Sequence, residues 1–240
     1  YLARLMQRRE DLIAAPDAAW PERLLNEALT AAADIARDPP PLSEGMVRLR
    51  RAKDGAHLAC AIADLALAWP LARVTGALTS FADASVRAAL ALAARELAAR
   101  GELTPAAWGA ISGPVPGFAI IAMGKMGAHE LNYSSDIDIS IFFDPAGLAL
   151  AQAREPRVTA VRLVAPLVRA LEETTPDGYV FRTDLRLRPD PDPVWHVITI
   201  KAIEARVRRG VVVLRAKRAR AAMLGEGLAP DVTTHPATQA

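Results

Sequence analysis

Apolar residues recur at intervals of three and four from residue 1 to about residue 110, as in Leu58, Ile62, Leu65 and Leu67 and again in Leu90, Leu92 and Leu97. That period, with strong helix formers between, predicts a run of amphipathic helices. Pro39-Pro40-Pro41 and the segment from Gly101 to Pro105 punctuate them. A proline- and glycine-rich stretch, Gly109 to Gly117, then marks the expected lobe boundary. Beyond it the period changes. Phe118-Ala119-Ile120-Ile121-Ala122-Met123 is a continuous apolar run of strand length, the pattern of a strand covered on both faces. In the next run, Ile137, Ile139 and Ile141 alternate with polar residues, so a period of two sets Asp136 and Asp138 together on the opposite face. A third run, Tyr179 to Arg188, places Arg182, Asp184, Arg186 and Arg188 on one face and Phe181, Leu185 and Leu187 on the other. The expected class is α+β.

Two carboxylates held side by side repel and raise each other's pKa, so a strand that carries such a pair usually supplies a cation between them. Mg²⁺ suits the site because it takes one or two protein carboxylates, keeps several waters and completes its shell with phosphate oxygens. The first strand ends in Gly124-Lys125-Met126-Gly127, where glycines permit positive backbone dihedrals and close approach of amides to a ligand. A short helix over Ala128 to Leu131 would turn its N-terminus toward an anion. Alone, such a turn is equally well an ordinary tight turn. Its meaning comes from Asp136-Ile137-Asp138, about ten residues beyond Lys125. Asp184, flanked by arginines, offers a third acid to hold two metals, although a strand face of that composition is also what cross-strand ion pairs in solvent produce.

Gly-Lys-x-Gly, then Glu130-Leu131-Asn132-Tyr133-Ser134-Ser135-Asp136-Ile137-Asp138, then Asp184-Leu185-Arg186-Leu187-Arg188-Pro189 resembles the glutamine synthetase adenylyltransferases. These enzymes are part of the nucleotidyltransferase superfamily of DNA polymerase beta. They attach AMP to a tyrosine of glutamine synthetase and remove it, using two related halves. Asn132, Ser134, Ser135 and Ile137 are similar to the first, adenylyl-removing half. The resemblance implies a polymerase-beta-like lobe, a small mixed sheet with helices, over residues 113–200. An all-helical lobe over 1–112 precedes it, and a basic, irregular segment over 201–240 follows. It implies Asp136, Asp138 and Asp184 as catalytic and metal-binding residues for Mg²⁺ or Mn²⁺. Gly124, Lys125, Gly127, Ser135, Arg186 and Arg188 would bind phosphate or nucleotide, with Arg182 one step further from the metals and of less consequence. The implied reaction is attack of phosphate on the adenylyl phosphorus, which breaks its bond to the tyrosine oxygen and releases ADP and the free tyrosine. Glutamine synthetase would be the protein substrate, ATP, ADP and phosphate the small ones, and the PII signalling protein a further partner. Two alternatives stand beside this: transfer to another protein, a small molecule or an RNA end, or an inactive piece that only binds glutamine synthetase or PII. The family's enzyme is several times longer and the chain opens at Tyr1, so a fragment or partial gene product is expected. Past Pro189 the resemblance fails, as a divergent or frame-shifted end would make it do.

Composition narrows the rest. A formal net charge of +2 and 5% aromatic residues offer little pull on nucleic acid and few rings for stacking bases, and no nucleic-acid partner is expected. Cys60 is the sole cysteine, which excludes an intrachain disulfide or a cysteine-based zinc cluster and favours a reducing compartment. Set in Leu58-Ala59-Cys60-Ala61-Ile62, it reads as a buried helix residue and not a nucleophile. The apolar stretch from Leu58 to Trp69 is interrupted by Asp64 and is shorter than the roughly 20 residues a membrane helix needs. With no signal peptide in view, a cytoplasmic, membrane-free location is expected. His57, His129, His196 and His235 share no metal-ligand spacing, and His129 reads as a loop residue. Two basic blocks remain. Met46 to Lys53 reads as a solvated helix face or a surface that docks a substrate protein, and Arg206 to Arg220, with seven cations and no acid, as solvated or a nucleic-acid arm.

Overall fold

The structure is a computed structural model and describes residues 2–13, 17–104, 115–151, 154–185 and 197–199. Four helices come first: α1 (Leu2–Arg8), α2 (Trp20–Arg37), α3 (Leu42–Leu65) and α4 (Leu71–Ala99), with a 3-10 turn at Glu10–Leu12 after α1. Pro41 and Pro70 directly precede α3 and α4, positions where a proline stops one helix and permits the next. Then follow β1 (Phe118–Met123), the four-residue helix α5 (Gly124–Gly127), β2 (Ile137–Phe143), α6 (Pro156–Glu172), β3 (Thr183–Asp184) and β4 (Val197–Thr199). The carboxylate of Glu155 accepts from the amides of Arg157 and Val158 and starts α6.

β2 is the central strand. β1 pairs with it antiparallel along its length, and β3 and β4 pair parallel to it on the other edge, β3 at its start and β4 at its end. The class is therefore α+β with a small mixed sheet, as the sequence predicts. On β2, Ile137, Ile139, Ile141 and Phe143 are buried on one face, while Asp138 is half-buried on the other. β1 departs from expectation: Phe118, Ile120 and Ala122 are buried but the alternate residues only partly so. It is an edge strand, and one of its faces is incompletely covered.

Helices α2, α3 and α4 pack on one another, and α4 passes its far side to α6, which lies against β3 and β4. A single apolar core therefore runs from Leu24 and Leu49 through Phe81 and Leu92 to Leu167, Ile139 and Phe181. By length and composition α4 could cross a membrane, yet 83% of its most apolar stretch is buried by its neighbours. The expected lobe boundary at residue 112 and the segment 201–240 lie outside the described residues.

The basic run on α3 overturns the reading of a solvated face. Arg50 is completely buried and Lys53 nearly so, while Arg48 and Arg51 remain exposed. Arg50 donates to the carbonyls of Met46 at 2.9 Å, Ala170 at 3.1 Å, Gly178 at 2.8 Å and Glu173. A cation thus caps the C-terminal carbonyls of α6, where the helix dipole favours one.

Candidate active site

The acidic residues are brought together by strand register. Asp138 on β2 is the direct partner of Asp184 on β3, and on its other side faces Met123 of β1. Residues paired in this way point to one face, and neighbouring strands lie about 4.8 Å apart. Asp136 precedes β2 by one residue and is exposed. Its Oδ1 accepts from Arg182 Nε at 2.6 Å, and the same guanidinium reaches the Ser134 carbonyl at 3.2 Å. Sequence reasoning gave Arg182 a lesser place. Its position two residues before Asp184 is what carries it to Asp136, since β3 runs alongside the start of β2.

Gly124 lies against Asp138. Its φ is +53°, and a Cβ built there would fall 2.1 Å from Asp138 Oδ2. Only glycine meets both conditions. Lys125 is exposed and Gly127 buried, and their short helix begins at Gly124 itself, four residues before the predicted Ala128. His129, with φ +64°, follows its end, and the Glu130 amide donates to the Lys125 carbonyl at 2.8 Å. Helix α4 supports this loop from below: Thr79 Oγ1 accepts from the Leu131 amide at 3.3 Å.

Asn132 organises the next turn. Its Oδ1 accepts from the Ser134 amide at 3.2 Å and from Ser135 Oγ at 2.8 Å, an Asx turn that aims the backbone toward Asp136. Tyr133 turns inward. Its hydroxyl donates to Asp64 Oδ2 at 3.4 Å and its ring meets His57 edge-on at 5.9 Å, while burial raises its pKa. Burial also drives His57 down to about 3, with the nearby Lys53 charge acting in the same direction. Cys60 is fully buried, its thiol pushed up to about 12 by desolvation, which suits a core residue and not a nucleophile.

Among the described residues of the third predicted strand, Thr183 and Asp184 pair as β3, anchored by Glu172 Oε1, which accepts from the Thr183 amide at 2.6 Å and from its hydroxyl. Arg186 and Arg188 lie outside the described residues, as do His196 and His235. Among the described residues no three His, Cys, Asp or Glu side chains gather into a cluster that alone would hold a metal ion. Asp136 is instead drawn to Arg182. An ion with one or two protein carboxylates, its other positions left to water and phosphate, fits the Asp138 and Asp184 pair.

A family profile described as "Glutamate-ammonia ligase adenylyltransferase" matches residues 1–209. A protein of Caulobacter vibrioides named "Bifunctional glutamine synthetase adenylyltransferase/adenylyl-removing enzyme" is 52% identical over 164 residues, covering 68% of this chain and 16% of that protein. Proteins of the same name from Xanthobacter autotrophicus and Rhodopseudomonas palustris strain BisB5 are 45% identical over 177 residues and 42% identical over 217. These alignments cover 72% and 85% of this chain but only 18% and 21% of the relatives' own lengths. The chain thus spans about a fifth of those proteins or less.

Proposed function

The chain belongs to the glutamate-ammonia ligase adenylyltransferase family, and we propose that it forms a metal-dependent nucleotidyltransferase site that removes AMP from the modified tyrosine of glutamine synthetase by phosphorolysis. One observation carries the chemistry. Asp138 and Asp184 are register partners on parallel strands, with the backbone of Gly124 lying against Asp138. Two carboxylates on one face beside a glycine turn are what a metal-bound phosphate needs.

Asp138 and Asp184 would hold Mg²⁺ or Mn²⁺, with Asp136 joining once it leaves Arg182. When bound, the ion would offset charge on the attacking and leaving oxygens of an in-line displacement. The chain itself supplies position. Asn132 orients Ser135 and the turn before Asp136, and the absence of a side chain at Gly124 is what lets the Asp138 carboxylate lie against the turn. Lys125, exposed at the mouth of the turn, and Arg182 are cations within this region that would meet phosphate oxygens. Arg186 and Arg188, next along the chain from Asp184, are proposed to add to them. Such a reaction asks for placement and electrostatics, and no side-chain nucleophile is required.

The direction of transfer rests on Asn132-Tyr133-Ser134-Ser135, the first-half form of the motif. Incubating the full chain with adenylylated glutamine synthetase, Mg²⁺ and phosphate tests it: ADP should appear only when phosphate is present. Free AMP, or labelling of unmodified glutamine synthetase from ATP, would reject the assignment.

A further inference from the structure

One face of α3 touches both arms of the acidic site. Arg50, Lys53, His57 and Asp64 are spaced three, four and seven apart, so they lie along a single helical stripe. From that stripe Lys53 Nζ donates to the Tyr179 carbonyl at 2.8 Å and sits 4.3 Å from the Tyr179 ring centroid and 5.8 Å from that of Phe181. His57 packs against Phe181, 6.5 Å between centroids, and edge-on against Tyr133. Asp64 accepts from the Tyr133 hydroxyl. Arg50 binds the Gly178 carbonyl.

Each contacted residue leads directly into an acid. Gly178 to Phe181 precede Arg182 and Asp184. Tyr133 lies three residues before Asp136. The two arms meet where the Ile137 amide donates to the Arg182 carbonyl at 2.9 Å, beside the Asp138 and Asp184 pair. One helix therefore grips both sides of that junction.

Resting on the reading of Asp136, Asp138 and Asp184 as the acids of AMP transfer, we propose that Lys53 and His57 are positioning residues that hold the Tyr133 arm and the Phe181 arm in the register the reaction needs. A cation over two rings, with its ammonium on a backbone carbonyl, resists sliding of the Tyr179 to Phe181 segment more than an apolar contact of equal area. His57, wedged between Tyr133 and Phe181, keeps the two arms apart. A shift of about 1 Å in such an arrangement costs roughly a hundredfold in rate.

The test compares amide hydrogen exchange and kinetics for the full chain, Lys53→Met, Lys53→Arg and His57→Leu. In Lys53→Met the amides of Ile137 and residues 180–184 should exchange roughly tenfold faster while those of α2 and α4 keep their protection. The kcat for ADP release should fall by roughly the same factor, with the KM for glutamine synthetase within about twofold. Lys53→Arg, which keeps a cation over the rings, should recover both. His57→Leu should loosen residues 133–135 as well as 181–184. Exchange that rises uniformly over the chain, or wild-type exchange at these residues in both Lys53→Met and His57→Leu, overturns the positioning role. Should the unaltered chain transfer no AMP, the proposed function fails by itself, and the exchange pattern still decides what Lys53 and His57 do.

Discussion

Arg182 Nε donates to Asp136 Oδ1 across 2.6 Å, so the first carboxylate of the acidic motif is held by a cation from the segment that carries the third. Both side chains are about half exposed, so solvent screens the pair and it contributes little to stability. Its consequence is for the charge of the site. While Arg182 stays on Asp136, one of three acids is offset without any metal.

Arg182→Gln separates the two roles. Stability should hardly change, because the pair is screened by solvent. Mn²⁺ binding without nucleotide should tighten by about fivefold, because the ion no longer competes with a guanidinium. Titration followed by the paramagnetic signal of free Mn²⁺ reads this directly. Unaltered affinity would mean that Asp136 never meets the metal.

Gly124→Ala addresses the turn. The new methyl would lie 2.1 Å from Asp138 Oδ2 at a φ of +53°, so either the carboxylate or the turn must move. Strain of about 1–3 kcal/mol is expected in the unfolding free energy, with AMP transfer reduced roughly a hundredfold or more. Denaturant titration and initial rates check the two numbers. Full activity would show that Asp138 need not stand where it does.

Arg50→Met should be costly although it replaces a charge by an apolar side chain of similar length. The carbonyls of Ala170, Glu173 and Gly178 would lose a buried donor at the end of α6. A loss of about 3 kcal/mol or more is expected, read from the urea midpoint at constant m-value. A change within 0.5 kcal/mol, the ordinary scatter of surface substitutions, would place Arg50 among the solvated residues after all.

His57 sets an acid limit. Its pKa falls from 6.5 to about 3 in the folded protein, chiefly by burial, so the unfolded chain binds the extra proton over that interval. Stability contributed by the neutral ring is complete above about pH 6.5 and is lost as pH drops, at up to about 1.4 kcal/mol per pH unit. His57→Leu should flatten that part of the profile in a series of denaturant melts. An identical slope in the variant would assign the acid sensitivity elsewhere.

Much of the site is legible from periodicity. Alternation about Ile137 and Ile139 places Asp138 away from the core, and Asp184 follows from the same rule applied to its own segment. What periodicity cannot supply is the partner. Nothing local to Arg50 or Lys53 shows that carbonyls about 120 residues later await them, so a run of cations reads as a wet helix face. Along its own segment Arg182 stands one step out from Asp184, and only the strand register shows that it neighbours Asp136. Periodicity starts the short helix four residues late, because it does not show that Gly124 takes a positive φ and packs against Asp138.

Phosphate-dependent release of ADP from adenylylated glutamine synthetase tests the central claim most directly. With Mg²⁺ present, the full chain should convert the AMP label to ADP in proportion to added phosphate, and Asp138→Asn and Asp184→Asn should both abolish the conversion while remaining folded. Undiminished release by either variant, or release that proceeds equally without phosphate, would contradict the account.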